Sequence, residues 1–120
     1  MKKKDITKML FSDIYPLYIQ KAERKGHTKD EVDQIICWLT GYNQKELEQK
    51  LTEQVDLAAF FGSQPHLNDN AHLITGTICG IKVQDIGDPL VQNIRYLDKL
   101  IDELAHNKDI HKILRSDKVS

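Results

Sequence analysis

The side chains of this chain that could perform chemistry are scattered rather than clustered. A metal site needs His, Cys or carboxylate ligands at spacings that bring them to one side of an element. His66 and His72 instead flank a loop, His106 and His111 are five residues apart on different helix faces, and neither Cys-x-x-Cys nor His-Glu-x-x-His occurs. No metal ligand and no cofactor is therefore assigned. Of the two cysteines, Cys37 falls toward the polar edge of a helix and Cys79 lies in a glycine- and isoleucine-rich stretch. Neither has a histidine partner nearby in sequence, so both read as reduced packing thiols rather than nucleophiles. No Gly-x-Gly-x-x-Gly or phosphate loop is present, and no catalytic residue is assigned.

The best candidate binding residues are aromatic and cationic. Trp38 and Tyr42 are four residues apart and can share a helix edge, while Arg95 and Tyr96 adjoin the apolar seam of a second helix. Trp, Tyr and Arg are the residue types that dominate binding hot spots, so these four could line a pocket or a protein interface. The plainer reading makes the aromatics core residues and pairs Arg95 with a carboxylate such as Asp98. A helix–Gly41-Tyr42–helix unit also invites a helix-turn-helix reading, with Asn43-Gln44-Lys45 at the start of the helix that would meet bases. Residues 43–56 carry Lys45 and Lys50 against Glu46, Glu48, Glu53 and Asp56, a net of -2, which opposes entry into a phosphate-lined groove. Nucleic acid is not an expected partner.

The elements that would position these residues are written largely in capping signals. Thr28 followed by Glu31 forms a capping box ahead of Val32, Ile35, Ile36 and Leu39, whose spacing makes one buried stripe, and Gly41 closes that helix. Asn43 with Glu46 opens the next, with Leu47, Leu51 and Val55 inside and a Glu46–Lys50 pair outside. It continues or restarts near Thr52 and carries Leu57, Phe60 and Phe61 to the break at Gly62-Ser-Gln-Pro65. Upstream, Ser12 or Asp13 can cap a helix running to about Lys25, with Pro16 in its first turn, Ile14, Leu17, Tyr18 and Ala22 facing inward, and Gly26 beyond. Asp88-Pro89 opens the longest helix, on which Leu90, Ile94, Leu97, Ile101 and Leu104 make a seam. Asn107-Lys-Asp109 ends it, a short helix with Ile110, Ile113 and Leu114 follows, and residues from Arg115 onward fray.

Residues 73–86 are ambiguous. Their β-branched side chains favour strand, whereas the alternation is broken and a lone strand would leave its backbone unpaired. Helix is favoured, with Gly76 and Gly80 four apart to let a second helix approach closely; strand is the alternative.

The totals describe one soluble domain spanning 1–120. Apolar residues make up 40% and charged residues 29%, the formal net charge is -1, and no apolar run approaches a membrane span. Asp5, Thr7 and Lys8 interrupt what would be the apolar core of a signal peptide, so the chain reads as cytoplasmic. Residues 1–60 hold ten Lys/Arg and ten Asp/Glu, and 61–120 hold seven and eight, so neither half has a charge surplus for nucleic acid or anionic lipid.

At Lys21-Ala-Glu-Arg-Lys-Gly26, Trp38-Leu-Thr-Gly-Tyr42, Ile74-Thr-Gly-x-Ile-Cys-Gly80 and Arg95-Tyr-Leu-Asp-Lys-Leu100, the chain resembles a small bacterial family described as domain of unknown function 2200. The resemblance spans nearly the whole chain. It implies a bacterial cytoplasmic protein and supplies no catalytic residue, cofactor or partner. His27 and Lys82 stand where it implies arginine, which argues against an anion site built on a guanidinium fork there.

The sequence thus predicts an all-α single domain of five to six helices, acting as a non-catalytic protein-interaction module. Self-association is expected through the Asp88-Pro89 helix, where Val91 and Leu100 widen the seam beyond one partner helix. The alternatives are a helix-turn-helix DNA-binding regulator and a small-molecule-binding or enzymatic protein with an unfamiliar site.

Overall fold

The computed structural model describes residues 6–78 and 80–115, so Cys79 lies outside the described residues. Among those residues, helices α1 (Phe11–Glu23), α2 (Lys29–Thr40), α3 (Gln44–Glu53), α4 (Leu57–Gly62), α5 (Pro89–Ala105) and α6 (Ile110–Ile113) surround one core, with a two-stranded hairpin, β1 (Thr77–Ile78) and β2 (Ile81–Lys82), inserted before α5. The fold is all-α with this small sheet inserted in it.

Most helix starts follow their local signals. Thr28 and Asn43 each accept from the backbone N–H three residues on, and Glu31 and Glu46 return the bond, giving two complete capping boxes. Asp56 caps α4, Asp109 caps α6, and Asp88 accepts from Leu90 and Val91 N–H ahead of α5, with Pro89 in its first turn. Lys50 pairs with Glu53 at 3.4 Å rather than with Glu46. Gly41 ends α2 at φ +82, and a Cβ there would lie 2.9 Å from the backbone N and O of His66. The missing side chain lets the 66–68 loop close over the end of α2: His66 N–H donates to Thr40 O at 3.1 Å and Asn68 N–H to Leu39 O at 2.9 Å.

The start of α1 corrects the expectation of a Ser12 or Asp13 cap. The helix begins at Phe11, and Leu10, which precedes it, supplies no side-chain cap. Leu10 instead forms an antiparallel bridge with Asp56, with Phe11 N–H donating to Val55 O at 2.9 Å and Leu57 N–H to Met9 O at 2.8 Å. The free N–H of Phe11 is thus satisfied by a segment distant in sequence. The earlier start moves Pro16 out of the first turn into the helix and turns the register, so Phe11 and Tyr15 face inward while Leu17 is 56% exposed.

The helix reading of residues 73–86 is overturned. Thr77 pairs with Lys82 and Ile78 with Ile81, so the hairpin supplies its own second strand and the lone-strand objection falls. Gly76 at φ +113 and Gly80 at φ +78 hold backbone conformations that no right-handed helix contains, which removes their assignment as close helix-packing residues. Gly76 nonetheless lies against α5, where its Cβ would come 3.0 Å from Lys99 Cε. Ile74 and Val83 are fully buried and anchor the segment on the core, while Ile81 stays in solvent.

The centre of the core is aromatic and aliphatic in turn. Phe11 and Phe60 stack with ring centroids 3.9 Å apart, Tyr42 and Phe61 tilt against Phe60, and Ile94, Leu97, Leu100, Ile101 and Leu104 of α5 are buried beneath α1, α2 and α4. Of the two residues expected to widen α5 toward a second protomer, Leu100 is 0% exposed and covered by the molecule itself, while Val91 is half-buried.

Candidate functional site

The four aromatic and cationic candidates occupy different surroundings. Tyr42 is buried and donates its hydroxyl to Phe60 O at 2.6 Å; burial, then Glu46 and Glu53, pushes its phenol up to about 12. Tyr96 is also buried, and burial pushes its phenol up. Arg95 donates to Asp98 Oδ2 at 3.0 Å, the pairing the plainer reading expects, and Tyr18 Oη donates to the other Asp98 oxygen at 2.5 Å. Trp38 is half-buried near the end of α2, where its carbonyl accepts from Asn68 Nδ2 at 3.2 Å. Each has a place in the scaffold, and none lines the open cavity described below.

Sequence reasoning passed over Asp33. It is 3% exposed on α2 and accepts from Tyr15 Oη of α1, from Lys29 Nζ at 2.7 Å one turn earlier, and from Gln44 Nε2 of α3 at 2.9 Å. Three helices therefore converge on one carboxylate, which meets the rule that a buried charge be paired and hydrogen-bonded. The available signal was an acid abutting the buried Val32 with Lys29 at i−4. Burial, then the bond to Asp33, pushes Tyr15 up to about 12, and the same carboxylate holds the Lys29 ammonium above its ordinary range. Cys37 is a free thiol pushed up by burial, then by Asp33 and Glu46. All of these shifts lead away from neutral pH, whereas a working acid, base or thiolate is tuned toward it.

A second polar arrangement lies at the C-terminal end of α5. An open cavity of about 350 Å³ is lined by Lys99, Asp102, Glu103, His106 and Lys108. Glu103 is 8% exposed and held by Arg115 through two parallel bonds of 2.6 and 3.0 Å. This pair anchors the last described residue, where the sequence suggested fraying. Lys21 of α1 reaches Asp102 at 3.2 Å, and His106 Nδ1 stands 3.5 Å from the same carboxylate. Lys99 Nζ approaches Thr77 O of the hairpin at 3.5 Å.

The histidines make separate contacts. His27 lies 3.3 Å from Glu31 and 2.8 Å from Asn107 Oδ1, and His66 lies 2.9 Å from Asp69. Among the described residues, no group of three His, Cys, Asp or Glu side chains could hold a metal ion. Of the residues a helix-turn-helix would aim at bases, Asn43 is used as a cap and Gln44 donates to Asp33 and Glu48. No helix among the described residues is long and apolar enough to cross a membrane.

A small all-α domain whose polar interior ties helices together, with an open cavity at the end of its longest described helix, is the class this geometry defines. The chain belongs to the family described as "Uncharacterized protein conserved in bacteria (DUF2200)", whose model matches residues 5–115. It is also similar to a solved structure, "Crystal structure of uncharacterized protein SP1917", at 37% identity and a TM-score of 0.90, covering 99% of this chain and 98% of that one. No curated protein matches.

Proposed function

We propose that this protein is a non-catalytic protein-interaction module that self-associates, with its contact surface on α1 and the 71–86 segment rather than on α5. The observation that supports this reading is the contrast between polar groups already committed inside the molecule and large apolar groups left outside it. Leu17, Leu73 and Ile81 are 56%, 47% and 42% exposed, while the seam of α5 is spent on the core. An isologous contact uses the same surface on both copies, so one exposed apolar face is enough. Against the enzymatic alternative stand the shifts of Tyr15, Tyr42 and Cys37 away from neutrality. Against the DNA-binding alternative stand the acidic α3 and the prior engagement of Asn43 and Gln44.

Light scattering across the micromolar range tests the proposal. The expected result is a dimer that Leu17→Glu splits with the helical circular dichroism retained. A 13.8 kDa species at every concentration would remove self-association from the account.

A further inference from the structure

The lining of the cavity at the end of α5 balances two lysines against two carboxylates, and two further cations reach those carboxylates from outside it. Its two carboxylates are engaged by cations from outside the lining: Asp102 by Lys21 at 3.2 Å, and Glu103 by the two-pronged Arg115. Lys108 shares Glu103 with Arg115, 3.5 Å from an oxygen that Arg115 holds at 2.6 Å, and Lys99 reaches the neutral Thr77 carbonyl at 3.5 Å, so the excess charge falls on these two lysines. The four cationic side chains Lys21, Lys99, Lys108 and Arg115 thus stand against two carboxylates. A helix C-terminus ordinarily repels anions through its free carbonyls. Here those carbonyls are turned to internal donors: Asp102 O accepts from His106 Nδ1 at 2.7 Å, Glu103 O from Lys108 N–H at 3.1 Å, and Leu104 O from Asn107 N–H at 2.9 Å. With Nδ1–H donating there, Nε2 of a neutral His106 is an acceptor, so the anion-binding donors of the cavity are its lysines.

We infer that this cavity binds a small molecule bearing two or more negative charges, of the phosphate-ester or diphosphate class, through Lys99 and Lys108. A volume of about 350 Å³ falls in the range of small-molecule sites. The formal net charge of -1 gives a nucleic-acid polyanion no comparable long-range attraction, so the occupant is a compact anion.

Inorganic pyrophosphate is the probe, titrated at constant ionic strength while backbone amide signals are followed by NMR. Saturable shifts concentrated in residues 99–108 are expected. Lys99→Ala/Lys108→Ala should weaken binding about tenfold or more, and Lys112→Ala, on exposed α6 outside the lining, should leave it unchanged. The site is refuted by shifts that do not saturate, by equal weakening in the Lys112 variant, or by tighter binding of a single-stranded oligonucleotide than of pyrophosphate. Self-association is read as molecular mass and this site as amide shifts, so either proposal can fail while the other stands.

Discussion

Asp33 and Glu103 are both nearly closed to solvent, at 3% and 8% exposure, yet their partners come from different distances and leave different surroundings. Asp33 gathers donors from α1, α2 and α3, and the groups around it are themselves buried or committed. Glu103 is held by one guanidinium arriving from beyond α6, with Lys108 at 3.5 Å beside it, and next to that group the surface stays open as a cavity. A carboxylate enclosed by three helices serves as a structural junction. One secured at the edge of an open cavity leaves neighbouring cations within reach of a ligand. Burial alone does not mark a functional group; the number of elements that use it up is more informative.

The sharpest way to break this contrast is to remove each carboxylate in turn and compare urea denaturation. Asp33→Ala orphans the Tyr15 hydroxyl and frees α3 from α2, so a loss of about 3 kcal/mol is expected. A loss under about 1 kcal/mol would mean that the three-helix junction contributes little. Glu103→Gln should cost less, about 1–2 kcal/mol, because the amide keeps an oxygen that can accept from Arg115, which also donates to Ile113 O at 2.7 Å. The same substitution should tighten pyrophosphate binding by removing a negative charge from the cavity wall. Equal destabilisation by both variants would erase the distinction between junction and rim.

The smallest effect at neutral pH is expected from the tyrosines. Tyr15 and Tyr42 rise from an ordinary 10.0 to about 12 in the folded protein, so between those values the folded state binds more protons than the unfolded. Their contribution is fully present below pH 10 and falls as pH rises toward 12. Tyrosinate absorbance should show these phenols ionising only near pH 12 in the native protein and near 10 in urea. Ionisation of all tyrosines near 10 without unfolding would show that the Asp33 junction is open to solvent.

What was legible beforehand concerns contacts between near neighbours. The capping boxes at Thr28 and Asn43, the Asp88-Pro89 start and the Arg95–Asp98 pair each join residues no more than four positions apart, so spacing alone reveals them. The aromatic candidates Trp38, Tyr42, Arg95 and Tyr96 were legible as residue types but not as places, because the same side chains suit a core and a binding face equally well. Asp33 was passed over because its Tyr15 partner lies 18 positions away and its Gln44 partner 11.

The sequence by itself determined the helical class, the ends of most helices and the apolar stripes that bury them, since capping and periodicity act within a turn or two of chain. Only the tertiary structure decided that α1 begins on a bridge to Asp56, that the strands Thr77–Ile78 and Ile81–Lys82 dock on α5, and that Arg115 closes on Glu103 beside an open cavity. Those contacts depend on which distant segments the shared core brings together. Their free energy appears only after the chain has paid the entropy of closing the loops between them.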